Sequence, residues 1–221
     1  MASCCSHSCC GTDRFFSTMA GMFDRQYRKH GLEKIQRSML AGMRAELKAG
    51  ARILDIGCGV GALHLALLRE GAAEAIGVEI SEGMLKRARH HAEELGFKEK
   101  TVYIQGDFVE RHAEIPVADV AILDKVVCCY PDIAALIESS VRATNHLLAV
   151  THPRKNLLAK VLFTSHITLA RLLRFSFHPY WHDWDAMCAT ITGHGFTLVF
   201  TSSTAVWQAL VFKRIREFSP A

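Results

Sequence analysis

The feature that most constrains the fold is a glycine-rich turn placed directly after a short apolar segment. Residues 54–61 read LDIGCGVG, and the apolar run that leads into them, residues 52–56, is typical of a buried strand. Gly57 and Gly59 allow the backbone to turn sharply and to approach a ligand closely, which a Cβ atom would obstruct. The segment therefore predicts a strand, a ligand-binding turn and a helix over residues 60–69.

The spacing of this turn indicates which ligand it binds. The glycines follow the pattern G-x-G-x-G, with Asp55 two residues before the first of them. A dinucleotide-binding turn has the pattern G-x-G-x-x-G and rests a pyrophosphate on the helix N-terminus. A carboxylate at Asp55 would repel a pyrophosphate but can bind an ammonium group. S-adenosylmethionine carries an ammonium and no phosphate, so the pattern favours this methyl donor over NAD.

Three further acids follow the next predicted strands. Glu79 ends the strand at 75–79, about 20 residues past the glycines, where an acid accepts hydrogen bonds from ribose hydroxyls. Asp107 follows the strand at 101–105 and is placed to accept from an adenine amine, with Phe108 beside it. Asp124 follows the fourth strand. Ligands of open α/β sheets bind at the carboxyl ends of the strands, where all these acids lie. The alternative is that each acid caps the helix that follows it.

The rest of the chain predicts one α/β domain. Strands alternate with helices as in a Rossmann-like, doubly wound sheet that is mostly parallel. The last two strands, 196–202 and 205–214, are separated by only two residues, which predicts a hairpin and an antiparallel last strand. The predicted parts are a Cys-rich flexible tail (1–12), an N-terminal helical cap broken near Gly31 (13–50), a donor-binding core (51–151), a lid insert (152–182) and a C-terminal helix with the hairpin (183–216).

In order and spacing, residues 55–61, Glu79, residues 106–107 and Asp124 resemble motifs I to IV of the class I S-adenosylmethionine-dependent methyltransferases. The final hairpin is similar to the reversed seventh strand of that family. The resemblance implies that the donor site is built by Asp55, Gly57, Cys58, Gly59, Glu79, Ile80, Asp107, Phe108 and Asp124. It places the glycine turn on the methionine part, Glu79 on the ribose and Asp107 at the adenine.

The acceptor of the methyl group is expected beside the segment DKVVCCYPD at 124–132. It lacks the Asn/Asp-Pro-Pro-Tyr pattern of enzymes that methylate amino groups of bases or glutamine, which disfavours N-methylation of nucleic acid. Cys128 and Cys129 are either buried small apolar residues or a thiolate pair that holds a soft metal or metalloid substrate. Tyr130 shapes the loop or presents a hydroxyl to the reaction. Tyr27, in the N-terminal cap, is also assigned to the acceptor.

A second acceptor segment follows the fifth strand. The step Thr151-His-Pro-Arg154 and the apolar helix after it resemble the same region of magnesium-protoporphyrin carboxyl methyltransferases. Arg154 would pair with a carboxylate acceptor, and His152 either acts as a base or merely ends the strand. The long amphipathic helix over residues 156–177 is predicted to be a lid.

The N-terminus carries an unusual cluster of thiols. Cys4, Cys5, Cys9 and Cys10 lie within seven residues and around one histidine. Such a cluster would bind a soft metal or metalloid ion, and the alternative is a disordered tail with reactive thiols.

Composition limits the remaining choices. A net charge of +4 spread over 221 residues lacks the clustered Lys and Arg of a nucleic-acid site. No segment has the apolar length of a membrane span, and the N-terminus lacks an apolar signal core, so a cytoplasmic location is expected. The sequence thus predicts a methyltransferase that uses S-adenosylmethionine on the oxygen or sulfur of a small-molecule acceptor, with a metalloid acceptor as a variant. The rival hypothesis is a non-catalytic, donor-binding protein that senses or delivers a metal through its Cys-rich tail.

Overall fold

The computed structural model of the chain describes residues 7–172 and 177–215, with side chains from residue 11 onward. The helices in these ranges are α1 (His7–His30), α2 (Lys34–Arg44), α3 (Ala62–Arg69), α4 (Glu82–Glu94), α5 (Phe108–Arg111), α6 (Ile133–Arg142), α7 (Leu157–Leu172) and α8 (Trp184–Gly193). The strands are β1 (Arg52–Ile56), β2 (Glu74–Glu79), β3 (Thr101–Gln105), β4 (Ala118–Leu123), β5 (Thr144–Pro153), β6 (Phe196–Ser203) and β7 (Trp207–Arg214). None of the described helices is both long and apolar enough to cross a bilayer.

The strands form one mixed sheet, as the sequence predicts. Their order is β3-β2-β1-β4-β5-β7-β6, in which β1 to β5 are parallel and β7 runs antiparallel to both β5 and β6. The chain winds outward from β1 to β3 and then returns to place β4 on the other side of β1. The carboxyl ends of β1 and β4 therefore flank the switch point at which ligands of such sheets bind.

Helices cover both faces of the sheet, and β1 shows how alternation divides the core. Leu54 and Ile56 are buried on the face that packs against α6 and α8, in one cluster with Trp184. Ile53 points to the opposite face, where it packs with Met39 of α2 and with α3. Because successive side chains of a strand point to opposite faces, Asp55 lies on the same face as Ile53, where it contacts His64 of α3.

The expected boundary of the N-terminal tail is wrong, because α1 begins at His7 and residues 7–12 are helical. The rings of Phe15 and Phe16 both pack on Phe177, with centroids 5.0 Å apart in each pair. These contacts stabilise α1 near residues 15–16. Once that part of the helix has formed, extending it by a further turn toward residue 7 costs little compared with nucleating a new helix. Cys4 and Cys5 lie outside the described residues.

Candidate active site

The three glycines of the turn after β1 have a left-handed backbone conformation, which is energetically unfavourable for residues with a Cβ atom. Gly57, Gly59 and Gly61 have φ values of +66°, +53° and +86°. A Cβ atom on Gly57 would lie 2.5 Å from Cγ2 of Val126, whereas one on Gly59 would meet no atom within 4 Å. Gly57 is therefore required by packing against the loop after β4. Gly59 lines open space into which a ligand can come close to the backbone.

Glu79, at the end of β2, fixes this turn. One of its carboxylate oxygens accepts a hydrogen bond from the backbone N–H of Gly59 at 3.0 Å, and the other accepts from that of Ser81 at 2.9 Å. Burial raises the pKa of Glu79, and the two N–H groups partly offset this effect. Glu79 and the adjacent Ile80 both line the large cavity described below.

Asp55 belongs to a buried polar chain that sequence analysis missed. Its carboxylate lies 2.8 Å from Nδ1 of His64 in α3, and Nε2 of His64 lies 3.0 Å from the hydroxyl of Tyr103 in β3. Because a carboxylate only accepts, Nδ1 of His64 donates to Asp55. The hydroxyl of Tyr103 also lies 3.2 Å from the carbonyl of Ala88, so its proton is shared between that carbonyl and Nε2 of a neutral His64. Burial raises the pKa of Tyr103 and keeps its hydroxyl protonated. The only signal in the sequence was a histidine inside the apolar helix ALHLALLR.

Asp107 has two structural roles at the end of β3. Its side chain accepts a hydrogen bond from the N–H of Val109 at 2.8 Å and so caps α5, a short helix that the sequence did not predict. It also accepts from the hydroxyl of Tyr130, in the loop after β4. Phe108 is buried and, like Asp107, lines the cavity. The capping alternative is thus correct for Asp107 without removing its carboxylate from the cavity wall.

Asp124, after β4, connects the sheet to the N-terminal cap. One oxygen accepts from the hydroxyl of Thr151 and the other from the amide of Gln36 in α2, both at 2.7 Å. Burial raises the pKa of Asp124. The next residue, Lys125, has φ +60°, and its ammonium donates to Glu33 at 2.7 Å. No local pattern in the sequence marks Gln36, Glu33 or Lys125, because these partners come from segments far apart in the chain.

These groups open onto one cavity of about 790 Å³, within the usual range for ligand sites. Its wall at the strand ends contains the four predicted acids and the glycine turn. The rest of the wall includes six aromatic side chains from α1, α7, the segment after α7 and the start of β7: Phe15, Phe16, Phe23, Phe163, Phe177 and Trp207. The cavity therefore has a polar end at the switch point of the sheet and an aromatic chamber beside it.

Cys128, Cys129 and Tyr130, in the loop after β4, also line the cavity. The sulfur atoms of Cys128 and Cys129 are 3.9 Å apart, and both thiols donate to the carbonyl of Lys125. The hydrogen bond with the thiol of Cys129, together with burial, raises the pKa of Cys128 well above its usual range, so its protonated form dominates at neutral pH. The predicted acceptor residues of this segment are therefore at the cavity, with Cys128 present as a thiol.

Three other residues assigned to the acceptor lie elsewhere, which corrects that assignment; for His152 the alternative of a strand residue is the one that fits. His152 is buried, donates through Nδ1 to the carbonyl of Pro153 and stacks on Trp184 at 5.1 Å. It shares the strand face that α6 and α8 cover, because β5 continues through Pro153. The guanidinium of Arg154 donates to the carbonyl of Thr204. Tyr27 packs edge-on against His91, between α1 and α4. None of the three lines the cavity.

The predicted metal site is only partly within the described structure. The side chains of Cys9 and Cys10 lie outside it, as do Cys4 and Cys5 altogether. Among the side chains that are described, no group of three or more His, Cys, Asp or Glu is arranged to hold a metal ion.

Residues 47–194 match the model of a family described as a methyltransferase domain. Ribosomal protein L11 methyltransferase of Ectopseudomonas mendocina is 35% identical over 95 residues, which cover 42% of this chain and 32% of that protein. The chain therefore matches about a third of the length of such curated relatives.

Two solved structures extend the likeness over most of the fold. Magnesium protoporphyrin IX methyltransferase from Synechocystis PCC 6803, crystallised with bound SAH, has a TM-score of 0.67 and 24% identity, and the match covers 91% of this chain and 97% of that one. An O-methyltransferase family 2 protein from Planctomyces limnophilus, in complex with apigenin, has a TM-score of 0.66 and 20% identity, covering 93% and 62%. At these identities the likeness establishes the fold.

Proposed function

The chain belongs to the methyltransferase domain family, and from that premise we propose that it transfers a methyl group from S-adenosylmethionine to the oxygen or sulfur of a small apolar acceptor. One observation carries the proposal. A single cavity joins a polar end, with open space at Gly59 between Asp55 and Glu79, to an aromatic chamber. A polar, charged donor and an apolar acceptor would both find matching walls there.

The residues at the polar end suit the parts of the donor. Asp55 offers a carboxylate to the ammonium, and Glu79 offers oxygens to the ribose hydroxyls while it holds the turn. Asp107 and Phe108 offer an acceptor and an apolar surface to the adenine. S-adenosylmethionine supplies an electrophilic methyl group on a sulfonium. The absence of a Cβ atom at Gly59 lets the donor lie against the backbone.

The aromatic chamber would contribute by alignment and by exclusion of water. Methyl transfer is an in-line displacement, for which holding the acceptor atom within about 3–3.5 Å of the methyl group supplies much of the rate. Phe163, Phe177 and Trp207 would exclude water from the acceptor. Cys129 and Tyr130 belong to the loop after β4 and add a thiol and a hydroxyl to the same cavity wall. Lys125 and Glu33 add a charged pair to the wall.

The test is transfer of radiolabel from methyl-labelled S-adenosylmethionine to a panel of apolar phenols, thiols and carboxylic acids. The panel also contains amines, RNA and arsenite. We expect label in at least one phenol, thiol or carboxylic acid with the parent protein, and loss of that label in Gly59→Ala. Glu82→Gln, an exposed change on α4, should keep it. Transfer only to amines or RNA, or none to any acceptor by a protein that binds the donor, would contradict the proposal.

A further inference from the structure

Helix α7 presents an unusual amount of apolar surface to the outside. Six of its side chains are about half exposed or more: Leu157 (78%), Leu158 (51%), Val161 (52%), Leu162 (48%), Leu169 (53%) and Leu172 (77%). Only Ala159 and Ala170 are buried. A helix on the surface of a water-soluble domain normally turns its apolar stripe inward and its polar face outward. Here the apolar stripe faces outward as well.

The six residues lie on one side of the helix, in two groups separated by the exposed Ser165 and Thr168. At about 100° per residue they fall within an arc of roughly 140°. Ala159 and Ala170 lie on a separate arc, which faces the protein. Lys160 and Arg171 lie next to each other on the remaining side, at one edge of the apolar stripe. We call the six apolar residues with this basic edge the α7 outer face.

The charge around this face has one sign. The sequence contains no Asp or Glu from residue 154 to residue 182, but five Lys or Arg. Lys155 forms an ion pair with Asp185 of α8, whereas Lys160 and Arg171 pair with no acid among the described residues. A partner for this face must therefore supply both an apolar layer and negative charge.

The same helix forms part of the cavity wall. Phe163 and His166 line the aromatic chamber, and Leu162 both lines it and remains about half exposed on the outer face. A partner seated on the outer face would therefore lie next to the chamber in which the acceptor is expected.

We propose that the α7 outer face rests in the interfacial region of an anionic lipid bilayer. An interfacial helix buries leucines at the boundary of the acyl chains, while flanking Lys and Arg meet the headgroups. A second copy of the chain fits less well, because a symmetric pair would bring two basic edges together without a carboxylate in α7 to balance them. The bilayer satisfies both requirements with one partner.

If the proposed function is correct, this placement also narrows the class of molecules that can be the methyl acceptor. With α7 on the bilayer, the chamber opens beside the acyl chains, so an acceptor that partitions into lipid reaches it without crossing water. Binding to vesicles requires no methyl transfer, so an experiment can contradict the membrane-docking proposal without contradicting the proposed function, and the reverse.

The experiment is cosedimentation of the full chain with vesicles of phosphatidylcholine, alone or with phosphatidylglycerol. The parent should bind the anionic vesicles, and the binding should weaken with salt. Leu158→Gln with Leu169→Gln should reduce binding about tenfold or more. Lys160→Glu with Arg171→Glu should reduce binding to anionic vesicles about tenfold and weaken its salt dependence. Neither pair lines the cavity, and circular dichroism with thermal unfolding checks that each variant is folded.

Matched controls change the same residue types elsewhere. Leu198→Gln replaces a leucine that is 45% exposed on β6, and Lys86→Glu reverses an exposed charge on α4. Both should bind vesicles like the parent. Equal binding by the parent and the α7 variants would overturn the proposal. The proposal would also be overturned if the parent did not bind vesicles but formed a dimer in light scattering that the α7 variants did not form. That result would assign the α7 outer face to contact with a second copy of the chain.

Discussion

The hydroxyl of Tyr130 lies 3.1 Å and 3.0 Å from the two carboxylate oxygens of Asp107. This contact joins the loop after β4 to the end of β3, across the polar end of the cavity. Because the hydroxyl donates its proton to Asp107, it is not placed to take a proton from an acceptor. We therefore infer that Tyr130 positions the loop that carries Cys128 and Cys129, and that it is not a base.

Replacing Tyr130 by Phe should impair transfer more than donor binding. The change removes a hydrogen bond to a charged group, which contributes about 1.5–3 kcal/mol, and loosens the loop that lines the cavity. We expect kcat to fall about tenfold and the Kd of the donor to change less than threefold, measured by steady-state rates and calorimetry. Tyr180→Phe, on the neighbouring segment, serves as the control. An altered pH profile of kcat would instead support a proton-transfer role for Tyr130.

The two glycines of the turn should respond differently to alanine. Both have positive φ, which costs an alanine about 1–2 kcal/mol, but only at Gly57 would the new Cβ atom also collide with Val126. Gly57→Ala should lower Tm the most. Gly59→Ala should lower Tm by only a few degrees yet weaken donor binding at least tenfold. Gly96→Ala, at φ +73° with open space, should match Gly59→Ala in Tm and leave donor binding intact. Unchanged donor affinity in Gly59→Ala would place the ligand elsewhere.

Donor binding should depend on the protonation of Glu79. Burial raises its pKa, so the carboxyl takes up its proton at a higher pH than an exposed glutamate does. The charged form accepts hydrogen bonds from the donor and is present above that pKa. Affinity for S-adenosylhomocysteine should therefore be lost as the pH falls through the raised pKa. Glu79→Gln should weaken binding by about 1.5–3 kcal/mol near neutral pH and flatten this dependence, while Glu82→Gln should do neither. An unchanged pH profile in Glu79→Gln would contradict the assignment.

The cysteines of the cavity wall should differ in reactivity. Cys58 is buried against Gly77, and burial raises its pKa well above the usual range. The pKa of Cys128 is also raised well above that range, by its hydrogen bond with Cys129 and by burial. Cys129 is partly exposed to the cavity. In native alkylation followed by peptide mass spectrometry, Cys129 should react first, and Cys58 and Cys128 should react only slowly at neutral pH. Rapid modification of Cys58 would mean that it is a reactive thiol and not a packing residue.

Local patterns in the sequence were sufficient to predict most of the helices and strands of the fold. Strands β1 and β3 have the predicted bounds because short apolar runs with clear breaks mark them. Ser81 and Asp183 cap the predicted helices through hydrogen bonds to backbone N–H groups, at 3.2 Å for Ser81. The glycine turn follows from positions that require positive φ. These features depend on neighbours in sequence, so a single chain displays them.

The parts that sequence analysis missed depend on contacts between distant segments. Gln36 reaches Asp124 across 88 residues, and Glu33 reaches Lys125 across 92. His152 was assigned to the acceptor because it follows a predicted strand end, but β5 continues to Pro153 and directs it to the core. Only the packing of α2 and α8 on the sheet determines these positions, and no local pattern encodes that packing.

The central claim is that the polar end of the cavity binds a methyl donor through an ammonium, a ribose and an adenine, and not a dinucleotide. Calorimetric titration of the parent protein with S-adenosylhomocysteine and, separately, with NAD tests it most directly. The account predicts saturable binding of S-adenosylhomocysteine at one site per chain and no measurable binding of NAD. Tight binding of NAD, or no binding of S-adenosylhomocysteine by the folded protein, would contradict it.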